Sequence, residues 1–359
     1  MKLIQAKLRG TGPLLESNWF ELSAGLNQFH FIDKQRGTVF LRALQTLHPL
    51  VSCKKTDPFR QLPHYEKRGA HTRHIQPAKR TIALGVFGAT AELAKELGLL
   101  HQSLYETDRI ELGRRLDYSR WLNFVELSSS TRWKEVEAGL KELLIPLQQT
   151  YPDRYNKMLT QISDLKGTDR VKDDLAGDLL SLFNFLTEQQ KDTPLFEETV
   201  ALIKRDAYFQ TARTVVLKRL PFLIYCNSMG EVAPPISKEQ LLPTHNQQEL
   251  FQLIEQRKLT KPFLSKSANQ HNLPLIEKIQ GGIRLSLAVS KELQRSDPIF
   301  LFDAPERNVA PADHKELRHL IQETSQTHQC LYLSATKNFF QQTDTGKNYN
   351  CSQLELIRD

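Results

Sequence analysis

The stretch GLNQFHFIDKQRGTVFLRAL, residues 25–44, decides the fold. Polar and apolar residues alternate over residues 27–32, which is typical of a half-buried strand. Apolar residues then recur every three or four positions, which predicts a helix over residues 38–47. The stretch therefore predicts a strand, a six-residue loop and the opening of a helix.

A strand, a loop and a helix in this order form the frame of a phosphate-binding loop, G-x-x-x-x-G-K-[ST]. Such a loop uses glycines so that backbone N–H groups surround phosphates, and a lysine that neutralises them. Here Phe31 and Arg36 occupy the two glycine positions. Gly37 occupies the lysine position, and only Thr38 matches the motif. Because the Cβ atoms of Phe31 and Arg36 obstruct a close backbone approach, we expect a spoiled cradle, with Lys34 or Arg36 as a displaced cation.

A second motif is the apolar run PIFLF, residues 298–302, which ends in Asp303. A buried strand followed by aspartate is the Walker B frame, in which the carboxylate orients hydrated magnesium. The next position carries a glutamate base in active sites, but here it is Ala304, which accepts no proton. Glu306 lies two residues further on, beyond Pro305, and is expected to miss that point.

A third motif is the run Gln280, Gly281 and Gly282, which is predicted to open an amphipathic helix that extends to residue 294. Glycines at a helix start suit an anion-binding turn. Each motif also has a structural interpretation. Thr38 is a good helix N-cap, Asp303 is suited to cap the following turn, and the two glycines suit a plain turn.

The elements around these motifs alternate between strands and helices. Strands are predicted over residues 3–8, 19–22 and 81–87. Helical stripes dominate from about residue 91 to residue 212, and Pro146 is expected to end or kink one of these helices. Strands are expected again over 214–217, 221–225, 298–302 and 329–333. A β/α alternation of this kind implies a parallel sheet covered by helices.

The excess charge lies in one segment. The chain has 359 residues and a net charge of +7, and residues 53–80 contain eight cations and two carboxylates, or +6. Prolines predict that this segment is extended, and its charge favours a polyanionic partner. A solvated loop or a dock for an acidic protein remains the alternative. The candidate nucleic-acid-binding residues are Lys54, Lys55, Arg60, Lys67, Arg68, Arg73, Lys79 and Arg80.

A smaller basic and aromatic patch contains Arg114, Arg115, Arg120 and Trp121. A structural role is expected for it, with nucleic-acid contact as the alternative.

Composition excludes several classes of protein. Apolar residues make up 40% and charged residues 25%, a balance that supports a folded core. The longest apolar runs are far shorter than the about 20 residues of a membrane-spanning helix. The N-terminus has no apolar signal-peptide core, and the four cysteines form no CxxC pair, so we expect a cytoplasmic protein without a metal site.

The three motifs, in this order, resemble the ABC-type ATPase head of the RecF, structural-maintenance-of-chromosomes (SMC) and overcoming-lysogenisation-defect proteins. The resemblance covers about residues 1–50 and 210–340. It implies an α/β fold, a P-loop NTPase-like ABC head built from residues 1–90 and 213–359. Residues 91–212 are expected to form a helical insertion.

The resemblance also identifies what this chain lacks. The family's P-loop lysine, glutamate base, signature-loop serine and switch histidine are all absent, with Gln280 before the signature glycines and Ser334 to Thr336 at the switch position. The resemblance therefore implies a degenerate, hydrolysis-deficient ATPase-like subunit that acts as a scaffold in a DNA-associated complex, such as repair or anti-phage defence. No cofactor is expected, and ATP and magnesium are weak ligands at most.

Heads of this family dimerise around ATP, so the expected partners are DNA and either a second copy or an active partner subunit. Two other functions stay open. One is a working ATPase that uses Lys34 or Arg36 as the cation and Glu306 as the base. The other is a nucleic-acid-binding protein for which nucleotide is irrelevant.

Overall fold

The computed structural model describes residues 1–11, 14–31, 34–50, 77–100, 108–127, 130–171, 173–229, 274–292, 295–336, 339–340 and 347–350. The chain divides into two compact units. The first, called the head unit, comprises Met1–Thr90, Asp108–Leu122 and Lys218–Asp359. The second, called the helical unit, comprises Ala91–Thr107 and Asn123–Leu217.

The strands are, in chain order, β1 (Lys2–Thr11), β2 (Leu14–Glu16), β3 (Phe20–Glu21), β4 (Leu26–His30), β5 (Thr81–Gly88), β6 (Arg109–Arg115), β7 (Arg120–Phe124), β8 (Leu223–Cys226), β9 (Ile299–Asp303), β10 (Cys330–Ser334) and β11 (Lys347–Asn350). The helices are α1 (Lys34–Gln45), α2 (Ala91–Gly98), α3 (Trp133–Thr150), α4 (Pro152–Ile162), α5 (Asp173–Phe183), α6 (Glu188–Lys191), α7 (Pro194–Ile203), α8 (Arg205–Arg219), α9 (Leu275–Glu292) and α10 (His314–Thr327).

The head unit contains a parallel sheet with the order β11-β4-β10-β9-β8. All four of its strand pairs are parallel. Every residue of β8, β9 and β10 is buried, as expected for strands that are covered on both faces. Helices α1, α9 and α10 contribute apolar side chains to the surrounding core. The α/β class predicted from the sequence is therefore confirmed.

An antiparallel sheet has the order β2-β1-β5-β6-β7, with β3 also paired to β1. Strands β6 and β7 fall within residues 91–212, where only a helical insertion was expected. Strand β6, RIELGRR, is hard to recognise from sequence because four of its seven side chains are charged and only Ile110 and Leu112 alternate with them as apolar residues. Even so, β6 pairs with β5 along its whole length.

Helix α9 corrects the expectation for Gly281 and Gly282. The helix begins at Leu275, so both glycines lie in its interior and do not open it. An apolar stripe of Ile276, Ile279 and Ile283 runs past them and is buried. Burial of this stripe outweighs the cost of about 1 kcal/mol for a glycine within a helix.

The helical unit has a core of its own. A buried cluster joins Trp133, Leu140 and Leu147 of α3 to side chains of α4, α5 and α7. Helix α3 continues through Pro146 to Thr150, so this proline does not end the helix. Residues 214–217, which were expected to form a strand, lie in α8. Within the described part of the chain, no helix is both long and apolar enough to cross a bilayer.

Candidate functional site

The candidate site is the carboxyl edge of the parallel sheet, where β4, β10 and β9 end side by side. Ligands of open α/β sheets bind outside the carboxyl ends of their strands. Strand β4 leads to α1, β9 leads to a short 3₁₀ helix at Pro305–Asn308, and β10 ends at Ser334. This edge therefore brings together the first and second motifs and the position of the family's switch histidine.

The connection between β4 and α1 is shorter than the sequence predicted. Strand β4 ends at His30 and α1 begins at Lys34, four residues before the expected helix start at Thr38. Phe31, at the first glycine position of the phosphate loop, is buried, and its ring centroid lies 5.6 Å from that of Phe40. An aromatic core side chain thus stands where a phosphate loop requires open backbone.

The remnant residues Lys34, Arg36, Gly37 and Thr38 all lie in the first five residues of α1. Gly37 is buried against β10, and a Cβ atom there would lie 2.6 Å from both δ-methyl groups of Leu333. The glycine at the lysine position therefore lets α1 pack closely on the sheet. Thr38 lies inside the helix, so its interpretation as the helix N-cap is wrong.

Asp303 is the last residue of β9 and is only 5% exposed. Its Oδ2 atom accepts a hydrogen bond of 2.5 Å from the Tyr225 hydroxyl, and its Oδ1 atom is buried without a hydrogen-bond partner among the described residues. Burial, and then the charge of Asp303, raise the pKa of Tyr225, so the phenol remains a donor. The guanidinium of Arg42 lies over the Tyr225 ring, 5.6 Å from its centroid. Sequence reasoning did not predict this contact.

Ala304 follows Asp303 in a left-handed backbone conformation, with φ 46° and ψ 52°. This conformation is uncommon for residues that carry a Cβ atom. The residue is fully buried, and its N–H donates to the carbonyl of Leu333 at 2.9 Å. The position of the family's glutamate base is therefore occupied by a small apolar residue held against β10.

Glu306 is buried, with both carboxylate oxygens engaged at the end of β10. Its Oε2 atom accepts from the Tyr332 hydroxyl at 2.5 Å. Its Oε1 atom accepts from the Ala335 N–H at 2.5 Å and from the Ser334 hydroxyl at 3.3 Å. Burial, and then the charge of Glu306, raise the pKa of Tyr332, which keeps this phenol a donor. The carboxylate therefore anchors the end of β10.

The third motif provides no anion-binding turn. Gly281 and Gly282 lie in the interior of α9, where backbone N–H groups bond within the helix and are not available to a ligand. The carbonyl of Gly282 also accepts a hydrogen bond of 2.8 Å from the Ser286 hydroxyl. The interpretation of Gln280, Gly281 and Gly282 as a helix-opening turn is therefore wrong.

Most of the candidate nucleic-acid-binding residues lie outside the described residues, namely Lys54, Lys55, Arg60, Lys67, Arg68 and Arg73. Lys79 is exposed and ends a short 3₁₀ helix, Pro77–Lys79. Arg80 precedes β5 and is partly buried, which lowers the pKa of its guanidinium. Its carbonyl accepts the N–H of Leu116 at 2.9 Å.

No protein-family model and no curated protein matches the amino-acid sequence. Among solved structures, the chain is similar to the recombination mediator protein RecF with ATPrS, at 14% identity over 97% of this chain and 95% of that one, with a TM-score of 0.34. It is also similar to the SMC head domain from Thermotoga maritima, at 9% identity over 97% and 94% of the two chains, with a TM-score of 0.35. A third structure is the SMC head of Pyrococcus furiosus bound to the C-terminal domain of ScpA, at 13% identity over 93% and 90%, with a TM-score of 0.33. RecF and SMC heads are two of the three kinds of head that the sequence resemblance named.

Proposed function

We propose that this protein is a hydrolysis-deficient ATPase-fold subunit that acts as a scaffold in a nucleic-acid-associated complex. The observation that carries the proposal is Ala304, which is fully buried and left-handed at the position where hydrolysis needs a base. A methyl group accepts no proton from an attacking water. Loss of a general base alone costs about 10²–10⁴ in rate.

Two further contacts support the loss of hydrolysis. Gly37 occupies the position of the phosphate-loop lysine and packs closely on Leu333, so this position carries no cation. The Tyr225 hydroxyl occupies Oδ2 of Asp303, the carboxylate that would orient hydrated magnesium. ATP and magnesium are therefore weak ligands at most in this proposal. The alternative of a working ATPase gains no support from Glu306, because its carboxylate is already engaged by Tyr332, Ser334 and Ala335.

Association with nucleic acid is supported by the net charge of +7 and its concentration in residues 53–80. A role in repair or anti-phage defence, and pairing with a second copy or with an active partner subunit, rest on the sequence resemblance alone. In such an assembly, a head that does not hydrolyse ATP acts as a fixed structural member.

The proposal is tested by measuring ATP hydrolysis by the purified full chain with magnesium. We expect the wild type and Asp303→Ala to show the same background rate. Asp297→Ala, at an exposed aspartate just before β9, is the matched control for loss of a carboxylate. A turnover of about 1 s⁻¹, within the ordinary range for enzymes, that Asp303→Ala abolishes and Asp297→Ala keeps would overturn the proposal.

A further inference from the structure

One face of the antiparallel sheet combines cations with an aromatic ring. Residues paired directly across antiparallel strands have their side chains on the same face. Lys7 pairs with Leu84, and Leu84 pairs with Gly113, so these three define one row of that face. The adjacent row on the opposite face consists of Ala6, Gly85 and Leu112 and is entirely buried, whereas in the first row Leu84 and Gly113 are buried and Lys7 is partly exposed.

The indole of Trp121 lies against Gly113 on the face of Lys7. A Cβ atom at Gly113 would lie 2.2 to 2.5 Å from the Cε2, Nε1 and Cζ2 atoms of the indole, so only glycine accommodates the ring there. The indole Nε1–H donates to the Thr81 hydroxyl at 2.9 Å, which helps to hold the ring in place. Trp121 nevertheless remains partly exposed. The face therefore presents a held aromatic surface.

Four cations lie on the same face of the sheet as this ring. Lys7 and Arg9 alternate along β1, and Arg109 and Arg115 lie on β6 at even spacing from Gly113, so all four share its face. Arg9 is exposed and the other three are partly exposed. The face also carries carboxylates, Glu111 and Glu21 among them. Burial raises the pKa of Glu111, and the charge of Arg9 opposes that shift.

The basic and aromatic patch had two interpretations, a structural role and nucleic-acid contact. The neighbouring Arg114 fits the first of them. Its side chain is on the opposite face and is buried. Its guanidinium donates to the carbonyls of Thr46, Leu47 and Tyr118. A cation at the end of α1 also complements the helix dipole. Arg114 is therefore structural, whereas Arg115 and Trp121 remain at the surface.

The basic segment joins the head unit at the same corner of the sheet. Arg80, its last residue, bonds through its carbonyl to the N–H of Leu116, and the following Thr81 pairs with Arg115. Arg80 therefore lies next to Thr81, whose hydroxyl accepts the hydrogen bond of Trp121.

We propose that this face, defined by Lys7, Arg9, Arg109, Arg115 and Trp121, binds single-stranded nucleic acid. The cations contact phosphates, and an unpaired base stacks on the indole. Stacking requires a base whose π-face is free, which a duplex does not offer, so a single strand is the occupant that fits an aromatic ring among cations. The inference rests on the nucleic-acid association in the proposed function and is independent of the loss of hydrolysis.

The test is the binding of a fluorescein-labelled oligo-dT to the full chain, measured by anisotropy at low salt. We expect Trp121→Ala to weaken binding roughly 5- to 100-fold, as for other base–aromatic stacks. Trp121→Phe keeps an aromatic ring and is expected to lose less. Arg115→Ala is expected to weaken binding and to reduce the salt slope by about 0.7, the value for one phosphate contact on a single strand.

Matched controls come from exposed positions of the helical unit, Tyr151→Ala for the aromatic change and Lys157→Ala for the charge change. Neither control is expected to alter affinity. If Trp121→Ala perturbs the fold by circular dichroism, Trp121→Phe and Arg115→Ala decide the question, because the hydrogen bond of the Arg115 side chain to Ser119 is long, at 3.4 Å.

Three results would overturn the proposal. If the wild type binds oligo-dT and the folded Trp121 and Arg115 variants bind as well, nucleic-acid association stands and this face is not the contact. If a duplex binds more tightly than oligo-dT and Trp121 variants are neutral, the contact is not a stacking one. If neither nucleic acid binds at low salt, the association in the proposed function fails together with the inference.

Discussion

At the scale of single residues, Gln329 shows how one buried side chain joins separate parts of the head unit. It is fully buried just before β10. Its Oε1 atom accepts the N–H of Leu3 at 2.8 Å, and its Nε2 atom donates to the carbonyls of Leu3 and Ser23, each at 2.7 Å. One amide thus satisfies three backbone groups that have a sequence separation of more than 300 residues from it.

Replacement of this amide by an apolar group of similar size is expected to be costly. Gln329→Leu removes the hydrogen bonds from this amide to the N–H and carbonyl of Leu3, whereas the Ser23 carbonyl keeps the bond of 3.0 Å from Nδ2 of Asn27. A buried backbone group that loses its partner costs about 1–3 kcal/mol. We therefore expect the free energy of unfolding, measured by urea denaturation, to fall by roughly 2–3 kcal/mol. Gln326→Leu, at an exposed position on α10, is the control and is expected to change it by less than about 0.5 kcal/mol. Equal effects of the two substitutions would show that the buried amide is dispensable.

At the scale of elements, the close approach of α1 to the parallel sheet depends on Gly37. Gly37→Ala puts a Cβ atom 2.6 Å from both δ-methyl groups of Leu333, a residue that is 1% exposed in β10. We expect this substitution to lower the free energy of unfolding by about 1–3 kcal/mol through overpacking.

A glycine-to-alanine substitution in α5 is expected to have the opposite effect on the free energy of unfolding. A Cβ atom at Gly177 meets nothing within 4 Å, so Gly177→Ala is expected to raise the free energy of unfolding by about 0.5–1 kcal/mol through helix propensity alone. The pair is compared by urea denaturation. A stabilising effect of Gly37→Ala would contradict the close packing of α1 on β10.

The elements also show what local sequence pattern predicts well. Strands β4, β9 and β10 were predicted because they are short apolar or alternating runs, and their parallel pairing follows from the intervening helices. Strand β6 was missed because its charged side chains conceal it, and the helical start of α9 was misplaced because Gly281 and Gly282 looked like a boundary. The β-branched residues at 214–216 favoured a strand but lie in α8, so tertiary context overrode propensity.

The candidate site was predictable in position and not in its contacts. Asp303 and Ala304 were identified from the strand that precedes them, because a buried run followed by aspartate is a local pattern. The partners of that edge are separated in sequence, Tyr225 by 78 residues from Asp303 and Tyr332 by 26 residues from Glu306. The periodicity of one segment gives no information on pairs that are distant in sequence. These hydrogen bonds could therefore be identified only from the three-dimensional structure.

At the scale of the whole molecule, the helical unit has a core sufficient for an independent folding test. A fragment of residues 130–206 contains the entire cluster around Trp133 and Leu140. We expect it to unfold cooperatively in urea, followed by circular dichroism. Within it, Leu140→Ala removes a fully buried side chain and is expected to cost about 2–5 kcal/mol.

The control for this fragment lies on the same helix. Ile145 is 61% exposed, so Ile145→Ala is expected to change the free energy of unfolding by less than about 0.5 kcal/mol. A fragment without a cooperative transition, or one in which the two substitutions have equal effects, would show that this cluster does not stabilise a unit by itself.

The placement of the tryptophans gives each unit its own optical signal. The chain has three, and Trp133, at 2% exposure, is the one within the helical core. Trp19 and Trp121 belong to the head unit and are both accessible to solvent to some degree. An indole surrounded by hydrocarbon emits at shorter wavelengths than one in contact with water. The fluorescence emission of Trp133 therefore reports the packing of the helical core without an attached dye. The emission of Trp121 responds to any ligand that covers its face of the antiparallel sheet.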